Sequence, residues 1–278
     1  LRRRSRYSWP SAAKWKFADA RSAMASRRSR DIKLPPPYLL RVWLDAAAVP
    51  DRSAYPFCLP FLNDGFEFEF DTPVTIIVGE NGVGKSTLIE GIAALVGFDD
   101  AGGAKGHRPI DHSGALETSG NTLAAALKAA WRPKLGGGWF FKAETFFTVA
   151  RYLDDAAMSS GGAAPDFLSH SHGEGFLRFF EERCSRQGVY LFDEPESALS
   201  PSRQIEFLKL LRRMEQAGVC QIVMATHAPI LMAYPGARLL RMHRRGLEPV
   251  RLEDTDHYRL LREFCTDPAT FVETMMET

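Results

Sequence analysis

The chain has 278 residues, 45% hydrophobic and 25% charged, which suits one large or two small soluble domains with a sizeable core. Four cysteines, Cys58, Cys184, Cys220 and Cys265, lie far apart without a CxxC pair, which argues against a disulfide framework or a cysteine zinc site and for a reducing, cytoplasmic compartment. The net charge of +1 conceals an asymmetry: residues 1–30 hold ten Lys and Arg against the single acid Asp19, and the remainder holds 25 basic and 33 acidic residues.

Residues 1–33 are rich in Arg and Ser and lack both a sustained apolar stripe and the apolar centre of a secretory signal, as a disordered basic arm would. A solvated tail or misassigned start, a polyanion-binding arm carrying Trp9 and Trp15, and a targeting segment all stay open for it. Folded sequence is expected over 34–278, after Pro35–Pro37. Tyr38–Leu44 reads as a β-strand, and Phe66–Phe70 alternates with the period of a half-buried one. Val74–Val78 reads as a short strand buried on both faces. Lys85–Val96 has helical spacing, with Leu88, Ile92 and Leu95 on one stripe and Gly97 to end it.

The glycine-rich segment 98–138 reads as an irregular insertion or lid around a short Ala-rich helix from Thr122 to Trp131. Trp139–Lys142 is expected to be a strand, and Glu174–Arg186 a helix burying Phe176, Phe180 and Cys184. Val189–Phe192 is a further apolar strand that ends in acids. Ser200 and Pro201 would cap and start a helix whose stripe is Ile205, Leu208, Leu211 and Met214. Val219–Ala225 and Ala237–Met242 complete the strands. Charge is absent from Gln216 to Ala237, but Gln221, His227, Pro229 and Pro235 interrupt that stretch, so no membrane insertion by the chain itself is expected. Strands alternating with helices indicate an α/β layered domain with a mainly parallel sheet, joined here by an added antiparallel β portion.

Gly79-Glu80-Asn81-Gly82-Val83-Gly84-Lys85-Ser86-Thr87 satisfies GxxxxGK[ST] between a predicted strand and a predicted helix. In such a loop the glycines turn backbone N–H groups and the helix N-terminus toward phosphates, the lysine neutralises their charge, and Ser86 ligates Mg²⁺. Asp193 and Glu194 follow the apolar strand at the sheet end where ligands of open α/β sheets bind. Asp193 suits the Mg²⁺ shell, and Glu194 suits orientation or deprotonation of an attacking water.

The order and approximate spacing of these motifs, with Ser197-Ala198-Leu199-Ser200 and Thr226-His227-Ala228-Pro229 after them, resemble those of ABC-type ATPases. From about Pro35 to Met275 the chain is similar to small ATPases on the SMC/RecF side of that P-loop superfamily, often labelled AAA-family. The resemblance implies ATP with Mg²⁺, hydrolysis to ADP and phosphate, and an ATP-dependent homodimer acting on an effector. By the same resemblance His227 is the switch histidine at the γ-phosphate. Ser171-His172-Gly173-Glu174 resembles a diverged signature segment in which Ser171 and Gly173 would meet the partner's nucleotide. Glu144 stands near the family's glutamine loop, within reach of Mg²⁺ or water, although glutamate is a departure there. Ser200 departs from the D-loop aspartate, and Tyr55 or Phe57 would stack on adenine or simply pack in the core.

Other functions compete with this one. A detached ATPase subunit of an ABC transporter has the same motifs, a P-loop kinase or phosphotransferase would need an acceptor pocket, and an ATP-dependent nucleic-acid-binding module would draw on the basic arm. Only 108 residues separate Lys85 from Asp193, too few for long heptad arms.

Overall fold

Leu39–Leu44 (β1) opens the fold of the computed structural model, which describes residues 34–107, 119–159, 172–184 and 186–277. The basic arm of residues 1–33 lies outside the described residues. β1 pairs antiparallel with Glu67–Glu69 (β2) on one side and with Leu127–Trp131 (β4) on the other, giving the expected small antiparallel sheet. Phe66, Phe68 and Phe70 bury one face of the alternating segment while Glu67 and Glu69 stay exposed.

The main sheet has six strands in the order Gly138–Lys142 (β5), Gly188–Asp193 (β6), Cys220–Ala225 (β7), Val74–Val78 (β3), Arg238–His243 (β8) and Gly246–Pro249 (β9). All neighbours are parallel except β8 and β9. Both faces are covered, and successive residues divide between two cores as the period of two requires. Ile77, Val189, Leu191, Val223 and Ala225 join one core, whereas Ile76, Val78, Tyr190, Phe192, Ile222 and Met224 join the other.

On the first face lie the antiparallel sheet, Lys85–Val96 (α1) and Ser119–Ala126 (α2). Gly84 and Gly97, both left-handed, bound α1. On the second face lie Phe146–Ser159 (α3), His172–Arg183 (α4), Pro201–Gln216 (α5) and Pro229–Met232 (α6). An aromatic layer fills this core: Phe141 stacks on Phe192 at 5.1 Å, and Phe180 meets both rings edge to face. Asp256–Thr266 (α7) and Pro268–Met276 (α8) close the chain.

Several expectations require correction. The Ala-rich helix stops at Ala126, and Leu127–Trp131 is strand β4 instead. Alanine favours helix locally, but β1 offers a row of unpaired backbone groups, and pairing there buries Leu127. Helix α5 also faces the sheet differently from the predicted stripe: Ile205 is exposed and Leu208 half-buried, while Phe207, Leu210, Leu211 and Met214 are buried. Phe207 sets that rotation by packing on Phe180 and Phe192 at 5.3 and 5.2 Å. Ser200 occupies the N-cap position of α5, but its side chain makes no capping hydrogen bond. Within 98–138, residues 119–131 are helix and strand, with Leu123, Ala126 and Leu127 in the core; residues 108–118 lie outside the described ones.

Gln221, fully buried in β7, ties the two sheets together. Its Oε1 accepts from the backbone N–H groups of Tyr38 and Leu39, both at 2.8 Å, and its Nε2 donates to Leu39 O at 2.9 Å. Gln221→Leu strands three buried backbone groups, each worth about 1–3 kcal/mol when unpaired. We expect chemical denaturation to show a loss on the order of 3 kcal/mol, against under about 0.5 kcal/mol for an exposed control such as Ile205→Gln.

Candidate nucleotide site

The sheet register builds the site. Lys142 stands beside Asp193, Asp193 beside Ala225, and Ala225 beside Ile77, so four strands end level with one another. The residues that follow, Glu144, Glu194, His227 and the Gly79–Thr87 loop, therefore emerge at one carboxyl edge.

Gly79 and Gly84 shape the loop. A Cβ on Gly79 would stand 2.6 Å from Met242 O, and one on Gly84, at φ 101°, would stand 2.6 Å from a Phe61 ring carbon. No larger residue fits either turn without displacement. Asn81 and Gly82 are exposed at its tip and Val83 is half-buried. Lys85 is buried, and its ammonium donates to Gly79 O at 2.9 Å and Glu80 O at 3.0 Å, which curls the loop around the charge. Burial lowers the Lys85 pKa, against the raising effect of Glu194, Asp193, Glu196 and Glu80. Thr87 is buried at the next turn, where its Oγ1 lies 2.6 Å from Tyr55 Oη. Tyr55 is exposed beside the loop, whereas Phe57 belongs to the core.

Ser86 Oγ donates to Asp193 Oδ1 at 3.2 Å. Asp193 is buried, and desolvation pushes its pKa up to about 7 despite the Lys142 charge and the Ser86 hydrogen bond. A hydroxyl and a carboxylate of this kind fit Mg²⁺, which takes one or two protein oxygens and completes its shell with phosphate and water. A cation there would add to the counter-charge that Lys142 supplies to the buried carboxylate.

Glu194 is the single non-glycine residue with positive φ (47°) among the described residues. Its N–H is tied to Ala225 O at 3.0 Å, and its carboxylate reaches His227 Nε2 at 3.4 Å. The His227 backbone N–H donates to Glu196 Oε1, and its Nδ1 meets His257 Nε2 at 2.9 Å. Burial lowers the His227 pKa, helped by Lys85 and opposed by Glu194. Burial and the Lys85 charge thus favour the uncharged imidazole beside the phosphate loop.

Glu144 follows β5 but turns outward: its carboxylate, 80% exposed, lies 3.5 Å from Lys142 Nζ and makes no contact with Ser86 or Asp193. Ser171 lies outside the described residues, and Gly173 falls in the first turn of α4. Sequence reasoning missed three groups. Glu90, in the buried face of α1, pairs with Lys142 at 2.7 Å and accepts from Ser119 Oγ at 2.8 Å. Burial would lower the Lys142 pKa, but the Glu90 hydrogen bond and charge raise it overall. An acid four residues after Ser86 on an otherwise apolar helix was the available signal. Glu196 and His257 carried none, because their roles depend on tertiary placement.

A phosphate loop between a central parallel strand and a helix, with an acid from the adjacent sheet edge on its serine, defines a P-loop nucleotide-binding α/β protein. Two family profiles match the chain: one described as "AAA domain" over residues 58–128, and one described as "AAA domain, putative AbiEii toxin, Type IV TA system" over residues 163–233. The first covers the loop and α1, the second β6 to His227. Both profiles describe AAA domains, and they support a P-loop ATPase of the ABC/AAA type. It is similar to the "Probable amino-acid ABC transporter ATP-binding protein y4tH" of Sinorhizobium fredii, with 25% identity over 177 residues, covering 54% of this chain and 68% of that one. Among solved structures, the SMC head domain from Thermotoga maritima aligns at 16% identity and TM-score 0.43, covering 77% of this chain and 99% of that one. CbiO1 from Clostridium perfringens, part of the ABC transporter complex cbiONQ, aligns at 20% identity and TM-score 0.43, covering 87% and 99%. No helix among the described residues is long and apolar enough to cross a membrane.

Raising the Asp193 pKa from 3.8 to about 7 gives the folded state the greater proton affinity. The stability that protonation confers is full below about pH 4 and is lost as pH rises through about 7. Without Mg²⁺ and nucleotide, Asp193→Asn is expected to raise the thermal midpoint at pH 8, and the gap should shrink toward pH 5. Thermal unfolding across that range checks it; a gap independent of pH contradicts the assignment.

Proposed function

We propose that the chain binds ATP with Mg²⁺ and hydrolyses it to ADP and phosphate, in a cycle of ATP-dependent dimerisation that switches an effector. The observation that carries this reading is the convergence of Lys85, the Ser86–Asp193 pair, Glu194 and His227 on one sheet edge. Backbone N–H groups of residues 79–87 and the start of α1 would hold the phosphates, with Lys85 exchanging its carbonyl partners for phosphate oxygens. Ser86 and Asp193 would hold Mg²⁺, which supplies charge neutralisation on the phosphates. Glu194 would take the proton of the attacking water, and His227 would donate to the terminal phosphate.

The Asp193–Glu194 pair with His227 beside the loop supports water as the acceptor over the second substrate of a kinase. In the dimer, Ser171 and Gly173 of one copy would close over the nucleotide of the other. The similarity to y4tH favours a second reading, the ATPase subunit of an importer, and co-purification with a membrane-embedded protein would select it.

Lys85→Ala removes the counter-charge for phosphate, so calorimetry should show ATP affinity falling at least tenfold, on the scale of about 1.4 kcal/mol per decade. Glu194→Gln should keep ATP yet lower phosphate release by about 10²-fold or more, and light scattering should find it dimeric with ATP and monomeric without. A normal turnover rate in Glu194→Gln rejects the base assignment, and a monomer in saturating ATP rejects the sandwich.

A further inference from the structure

Helix α7 reaches the site through one residue. His257, in its first turn, places Nε2 2.9 Å from His227 Nδ1, with the two rings 5.0 Å apart. The start of the helix is fixed: Thr255 is buried, its Oγ1 donates to Leu252 O at 2.7 Å and accepts from Tyr258 N at 3.3 Å. Beyond that turn α7 exposes Leu260, Leu261 and Phe264, so its firm attachment lies at the end that carries His257.

Two ring nitrogens at hydrogen-bond distance share one proton, and which ring owns it decides what His227 offers on its other side. His227 Nε2 is buried and makes no hydrogen bond, with the Glu194 carboxylate 3.4 Å away as its ion-pair neighbour. A lone pair on Nε2 would oppose that carboxylate, whereas an N–H is attracted to it and equally to an incoming phosphate oxygen. We propose that His257 is a positioning residue: its Nε2–H donates to His227 Nδ1 and holds His227 in the Nε2–H tautomer, with the proton aimed at Glu194 and at the anion site. The backbone bond from His227 N to Glu196 fixes where the ring is attached; His257 fixes its rotation and tautomer. This rests on the reading of His227 as the group that meets the terminal phosphate.

The test joins a structural readout to a kinetic one on the full chain. Nitrogen-15 NMR of the histidine side chains should show His227 protonated on Nε2 in the wild type, a mixture of tautomers in His257→Phe, and the wild-type form in His257→Gln, whose amide Nε2–H takes the place of the imidazole donor. ATP hydrolysis should follow the same order, with kcat about tenfold lower in His257→Phe, KM for ATP unchanged, and kcat largely recovered in His257→Gln. A wild-type His227 protonated on Nδ1, or the same tautomer and kcat in His257→Phe as in wild type, overturns the proposal. If the wild type shows the Nε2–H tautomer, dependent on His257, but releases no phosphate from ATP, the positioning role stands and the hydrolytic reading fails.

Discussion

The parallel register of β5, β6, β7 and β3 is the constraint on which the site depends. Because these strands are buried on both faces, a slip of one residue would send Tyr190, Phe192, Ile222 and Met224 to the wrong core and bring Val189, Leu191 and Val223 out of theirs. The same register that satisfies packing sets Lys142, Asp193, Ala225 and Ile77 level. Positions of the functional groups are thus inherited from the hydrophobic core, and the loops that carry them need only short extensions from rigid strand ends.

Charge is crowded at that edge. Lys85 and Lys142 face Glu90, Asp193, Glu194 and Glu196 in a partly dry environment, and Lys142 is already committed to Glu90. Burial raises the pKa of both Asp193 and Glu196. Such sites exchange stability for readiness: a carboxylate that is costly to ionise alone becomes favourable once a divalent cation is beside it. The Lys142–Glu90 pair has a different part, since it lowers the charge near Asp193 without occupying the phosphate loop.

How much of this was legible in the sequence follows from the range of the interactions. The phosphate loop, the flanking strand and helix, and the acids at the end of β6 depend on local chemistry: glycine at constrained turns, period-two burial, and a strand that ends in carboxylates. Each survives reading one segment at a time. β4 was hidden because its alanines favour helix and only the open side of β1 makes them a strand. The face of α5 was misjudged because Phe207, a residue outside the Ile205 stripe, packs into an aromatic layer assembled from β5, β6 and α4. Glu90, Lys142 and His257 act across 52 and 30 residues of sequence, where no spacing rule applies.

Glu194 shows how global packing permits a local conformation that propensity would reject. A left-handed glutamate costs about 1–3 kcal/mol, and the proline after it disfavours the right-handed helical alternative. Its N–H continues the β6–β7 ladder to Ala225 O, and its C=O accepts from Ser197 N at 3.0 Å in the turn that follows. With both backbone groups committed, the strand ends here and the 3-10 turn Pro195–Ala198 begins, and the reversal swings the carboxylate out of line with Asp193 toward His227. Two adjacent acids on a regular strand would point to opposite faces. The left-handed residue aims Glu194 at the imidazole while Asp193 stays with Ser86, the division of labour that the proposed cation and proton-transfer roles would use.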